Sequence, residues 1–145
     1  MNTVVLLSTT LFVVLKLFSI RKIFQSEKAI RERTIKGKQN LQITYGENPE
    51  LLKGIVNLTK LLTHIVYGLY CVYYLVCGFW SESLLFLWFC VVQCMLTVYD
   101  GNLSIKLFDF PQTTKIHGIA YRLTFNVIFD IIHIIVVTVL LFSQI

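Results

Sequence analysis

Four apolar runs divide the chain: Val4–Ile20, Leu61–Phe79, Leu84–Tyr99 and Ile119–Phe142. A bilayer core about 30 Å thick takes roughly 17 to 25 mostly apolar residues at 1.5 Å of rise each, so each run predicts a membrane-spanning helix. The third is the shortest. Its sixteen residues give about 24 Å of helix, enough to cross if it stands upright or thins the bilayer locally; a re-entrant segment is the alternative. Between the second and third runs lies only Trp80-Ser81-Glu82-Ser83. Such a tight link predicts a helical hairpin, with Ser81 or Ser83 capping the new helix. The expected fold class is therefore all-α, a single-domain integral membrane four-helix bundle.

The polar intervals carry their own signals. From Phe24 to Lys36, Glu27 precedes Arg31 by four residues and Glu32 precedes Lys36 by four, the favourable order for helical ion pairs. The first helix is thus expected to extend beyond the bilayer and to stop at Gly37, with Lys38–Glu47 as a link. Asn48-Pro49-Glu50 reads as a helix start: a cap, a proline in the first turn and a carboxylate at the positive end of the dipole. The second helix should run from Pro49 to about Gly78. In the interval 100–118, Asp100 before Gly101 is expected to end the third helix. Leu103–Phe110 mixes Leu, Ile and Phe with Lys106 and Asp109 and suits a position on the membrane surface.

Composition agrees with this pattern. The chain is 56% hydrophobic and 14% charged with a mean hydropathy of +0.71, well outside the usual range for a soluble domain. Its net charge is +5, and nine of the thirteen Lys and Arg fall between Arg21 and Lys60. Anionic lipid headgroups account for such a stretch at about 1 kcal/mol per basic residue, so nucleic acid is not an expected partner. Positive residues collect on the cytoplasmic side, which makes 21–60 and 100–118 cytoplasmic loops and leaves both termini outside. Lys16 and Arg122 fall at the inner ends of helices one and four, from which they can snorkel. No basic residue precedes the first apolar run, and Arg21 and Lys22 follow it. That order is the reverse of a secretory signal, so the run is expected to remain as a helix.

Candidate chemistry rests on polar residues inside the spans. At 100° per residue, Arg122, Asn126, Asp130 and His133 share one arc of about 80°. Asp130 lies near mid-bilayer, where an ionised carboxylate costs at least ~2.5 to 3.5 kcal/mol without a partner. Two roles fit: an ion, proton or polar-substrate site, or hydrogen bonding that fixes helix packing. On the second helix Lys60, His64, Tyr67, Cys71, Tyr74 and Gly78 share a face; on the third, Gln93, Thr97 and Asp100 do. Gly68 and Gly78 permit close helix approach. Cys71, Cys77, Cys90 and Cys94 all lie within spans, where thiols act as small apolar groups. A Cys71–Cys90 bridge is sterically conceivable, but no zinc-type Cys/His spacing occurs. Asn57 and Asn102 open glycosylation patterns that fall on the cytoplasmic side, and both should stay unmodified.

The size, the four spans, the outer termini and the long basic first loop resemble the MAPEG group of membrane glutathione-dependent enzymes. The corresponding stretch, Lys53-Gly54-Ile55-Val56-Asn57-Leu58-Thr59-Lys60, keeps a basic residue and Asn57 of the family's Arg-rich Asn-x-x-Glu pattern. It has Lys60 in place of the Glu, and the third helix has Gln93 but no Arg. The resemblance covers layout and about two positions, and it implies an enzyme acting on a lipophilic substrate. No nucleophile–base–orienter set or phosphate loop accompanies it, and no cofactor is named by the residues. The leading expectation is a non-catalytic multi-pass membrane protein, a subunit or an assembly or accessory factor. Its helices would pack around a polar seam, within a homo-oligomer or against a membrane protein partner. A membrane-embedded enzyme is the alternative, and a small transporter or proton relay using Asp130 and His133 is third.

Overall fold

The computed structural model describes residues Asn2–Ser143, with side chains for 3–17 and 23–143. The side chains of Arg21 and Lys22, and the terminal Gln144 and Ile145, on which part of the orientation argument falls, lie outside the described residues. The chain forms helices α1 (Asn2–Ile23), α2 (Glu27–Tyr45), α3 (Pro49–Trp80), α4 (Leu84–Asp109) and α5 (Ile119–Ser143), with no strand among the described residues. Three of these, α3, α4 and α5, are long and apolar enough to cross a membrane. Their windows are only 28, 22 and 17% buried within the molecule, so most of their Leu, Ile and Val side chains face outward. In α1 the apolar stretch among the described side chains is Thr3–Leu17, and the sequence continues apolar through Ile20.

Local signals explain the boundaries. The Asn48 side chain accepts from Leu51 N–H at 3.1 Å and Pro49 occupies the first turn, as the sequence predicts. Ser83 accepts from Phe86 N–H at 3.4 Å and opens α4. The hairpin turn between α3 and α4 sets Glu82 at φ 54°, in the left-handed region. Ser26 accepts from Ala29 N–H at 3.2 Å and starts α2 afresh, so α1 ends at Ile23 rather than continuing outward.

Two expected boundaries are corrected. Gly37 does not stop a helix; α2 runs through it to Tyr45, and Lys38–Tyr45 is helical rather than a link. Glu27–Arg31 pairing gives way to a different use of Arg31, which donates to the Pro111 and Gln112 carbonyls at 2.6 and 3.2 Å. Asp100 does not end the third helix either. α4 continues nine residues further to Asp109, because Gly101 is buried against the Tyr67 ring, where a Cβ would sit 3.0 Å from Cγ, and Asp109 pairs with Lys60 at 2.7 Å.

α3 and α4 form the main pair, and the predicted face of α3 is the seam between them. Along it run Lys60–Asp109, Tyr67 Oη with Ser104 Oγ at 3.0 Å, and a reciprocal exchange in which Cys71 and Cys94 each donate S–H to the other's carbonyl. At the hairpin end Gly78 meets Leu87 and Cys90, a Cβ there falling 3.0 and 3.2 Å from them. Gly68 has open space around it; the close approach uses Gly78 and Gly101. All four cysteines are free thiols. Asn57 and Asn102 both lie within helices. α1 and α5 pack across this pair, and α2 lies over the opposite end, against α3 and α4.

Candidate functional site

The predicted stripe on the fourth span turns inward as expected: His133, Asp130 and Arg122 are 0, 4 and 9% exposed. Between them the helix departs from α geometry, because Thr124–Ile128 forms a π-helical turn. Such a turn holds one residue more than an α turn and recurs at functional positions. Here it carries Asn126 on the same inner side as Arg122 and Asp130, lining the interior space described below.

Asp130 sits at the junction of three helices. Its Oδ2 receives Lys16 Nζ of α1 at 2.7 Å, with side chains 20 and 6% exposed, and its Oδ1 receives Tyr74 Oη of α3 at 2.6 Å. Lys16 therefore turns into the seam and does not snorkel outward. Its ammonium also lies over the Phe12 and Tyr70 rings, 5.3 and 4.8 Å from their centroids, a cation–π arrangement that strengthens when desolvated. Phe12 in turn stacks on Tyr73 at 4.3 Å, and Tyr73 Oη donates to Thr9 Oγ1 at 3.2 Å. Aromatic and polar contacts thus bind α1 to the core over two turns.

His133 is enclosed by rings. Tyr74 meets it edge-on at 5.0 Å, Tyr73 and Phe86 each lie at 5.2 Å, and Cys90 Sγ lies 3.8 Å from Nδ1. This cage closes the seam toward the hairpin end.

On the other side of Asp130 the interior opens. A pocket of about 10 Å³ is bounded by Lys16, Tyr74, Gln93, Thr97, Phe125 and Asn126, a size that suits a single water. Gln93 is 3% exposed, and neither amide atom has a hydrogen-bond partner among the described residues. Lys16, Thr97 and Asn126 also line a chamber of about 510 Å³ beneath α2. Its floor holds Lys16, Asp100, Asn126 and Arg122; its roof is Ile30, Arg33, Thr34 and Gly37 of α2; its sides include Leu103, Leu107, Phe108, Ile116 and Tyr121. Arg122 does not snorkel but donates to the Gln25 carbonyl at 2.9 Å. His117 stacks on Tyr121 at 4.0 Å. Asn126, Asp100, His117 and Lys16 all border the chamber.

Of the predicted candidates, Asp100, Asn126 and Arg122 line the larger chamber, Gln93 and Asn126 the smaller pocket, and Asp130 and His133 are buried in the seam. His64 and Lys60 are elsewhere. His64 is exposed and its Nδ1 faces the Lys60 carbonyl of its own helix at 2.9 Å, while Lys60 is spent on Asp109. Lys16, Tyr70, His117 and Arg33 belong to the site without a sequence signal that set them apart, since each reads locally as an anchor, a core ring or a loop charge. Among the described residues no three His, Cys, Asp or Glu side chains converge on a metal position. No protein-family model, curated protein sequence or solved structure matches this chain.

Proposed function

We propose that this chain is a non-catalytic multi-pass membrane protein, a subunit or an assembly or accessory factor. In this reading α1, α3, α4 and α5 cross the bilayer with both termini outside, and α2 lies on the cytoplasmic face. The observation that carries it is the Lys16–Asp130–Tyr74 junction. A carboxylate in the middle of an apolar span is held only if something offsets its desolvation, and here both oxygens are committed to side chains of two other helices. That commitment supports a structural tie that holds α1 in the bilayer as a fourth span. The clustering of basic residues between α1 and α3 supports the orientation.

The partner of such a protein is first the lipid around it. The polar stripe finds its partners within the chain, so contact with a second copy or another membrane protein would use the outward apolar faces of α3 to α5. Native mass in mild detergent reads that state directly. One observation favours a second reading, an enzyme acting on a lipophilic substrate: the chamber beneath α2, with Arg122, Asp100 and His117 on its walls.

The topology is tested by single cysteines in a Cys-free background. Those at Asn2 and Ser83 should react with an impermeant reagent from outside, and one at Gln39 should not. Labelling of Gln39 from outside, or of Ser83 only after permeabilisation, would overturn the arrangement.

A further inference from the structure

The chamber beneath α2 is lined by basic residues of three helices. Lys16 contributes from α1, Arg33 from α2 and Arg122 from α5, against a single carboxylate, Asp100. The Lys16 charge is already balanced by Asp130. Arg33 and Arg122 outnumber Asp100 by one positive charge in the lining, and Arg122 is already held by the Gln25 carbonyl. A chamber of about 510 Å³ falls among sites that enclose drug-sized ligands, ~300 to 1,000 Å³. Its walls divide by character: an arginine-bearing polar part, and an apolar part that includes Ile30, Leu107 and Phe108. Guanidinium groups match phosphate oxygens in fork geometry. Gln93, buried with an unpartnered amide, lines the separate small pocket, which shares Lys16, Thr97 and Asn126 with the chamber.

We infer that this chamber is a binding site for one phospholipid of single net negative charge, a phosphodiester whose headgroup carries no cation. The phosphate sits between Arg33 and Arg122, and the glycerol and upper acyl carbons lie along the apolar wall. This rests on the reading of the chain as membrane-embedded, and the test separates the two. α2 is then a lid on a lipid site, which accounts for its clasp: Arg31 on the Pro111 and Gln112 carbonyls and Lys38 on the Asp109 carbonyl at 3.1 Å.

A probe that blocks the site without touching its charges is available. Gly37 lines the chamber, and a Cβ there meets nothing within 4 Å, so Gly37→Trp fills the space from an exposed helix. Gly54 has equally open surroundings away from the chamber, and Gly54→Trp is its control.

The experiment is native mass spectrometry of the full chain released from nanodiscs of phosphatidylcholine and phosphatidylglycerol in equal parts. One phosphatidylglycerol per chain should be retained, enriched about tenfold over phosphatidylcholine, whose choline cation offsets the phosphate charge beside the arginines. Arg33→Gln, which changes an exposed residue of α2, and Gly37→Trp should each abolish that enrichment; Arg122→Gln should do the same if it folds. Lys53→Gln and Gly54→Trp should leave it intact. Enrichment that survives both Arg33→Gln and Gly37→Trp, or falls equally with Lys53→Gln, would show diffuse attraction to basic surface and overturn the site. Displacement of the lipid by inorganic phosphate would reassign the chamber to a free anion and overturn the lipid assignment. Incorporation into nanodiscs with no retained lipid would sink the site alone. A chain that stays out of nanodiscs would sink the membrane reading and the site with it.

Discussion

The Lys16–Asp130 pair is the residue on which the rest of the seam depends. With Asp130 4% exposed and both oxygens engaged, removing one partner leaves the other charge buried, a change that costs about 3 to 5 kcal/mol in comparable pairs. Replacing both with apolar groups of similar size is often neutral. Asp130→Leu should therefore lower stability by about 3 kcal/mol, and Lys16→Met with Asp130→Leu should return to within about 1 kcal/mol of the parent. Thermal unfolding in detergent measures both. Equal losses in the single and double variants would mean the pair is not a unit. Asp130→Asn separates a tie from a relay: a protein that stays stable but loses its activity would point to the third reading, a proton path through Asp130 and His133. At this scale the sequence was informative about which residues turn inward and uninformative about their partners. Asp130 announced a cost at mid-span, but its offset comes from Lys16, 114 positions away. A lysine near a helix end carries the same local pattern whether it snorkels or folds inward. Gly101 shows the same limit, since its contact with Tyr67 is visible only once α3 and α4 are paired.

Among the elements, those with local chemistry were legible and those set by neighbours were not. Asn48-Pro49 marked the start of α3 because a cap and a proline act within one turn. Gly37 read as a stop on the same kind of evidence, yet α2 continues because its position against α3 and α4 favours helix over what one glycine costs, about 1 kcal/mol. The π turn at Thr124–Ile128 has no residue-type signature at all. It leads to a specific expectation. The turn holds one surplus residue, so deleting Ile128, which is 44% exposed, should convert it to α-helix while Arg122 and Asp130 keep their faces. Deleting Ile131, exposed to a similar 49%, should instead rotate His133 by about 100° relative to Asp130 and out of its ring cage. The first variant should stay monodisperse with a melting point within a few degrees of the parent. The second should lose expression or aggregate. The reverse ranking would show that the π turn is required for folding.

At the scale of the whole molecule the spans are unequal. The helix α1, Asn2–Ile23, is shorter than α3, α4 and α5, and its apolar run Val4–Ile20 supplies about 25 Å of helix against a bilayer core of about 30 Å. Lys16 is bound to Asp130 in the seam, so α1 cannot lengthen its apolar contact by sliding without breaking that pair. In the proposed four-span arrangement the bilayer thins around α1, at a modest cost for each ångström of mismatch. The parent protein should thus melt at higher temperature in short-chain than in long-chain phosphatidylcholine nanodiscs. In the double variant Lys16→Met with Asp130→Leu the anchor is gone and the apolar run of α1 is unbroken through position 16, so the dependence on chain length should flatten. Two outcomes would count against this account. A parent indifferent to bilayer thickness would mean that α1 does not span, while equal slopes in parent and double variant would place the mismatch in another helix and release Lys16 from any part in setting the depth of α1.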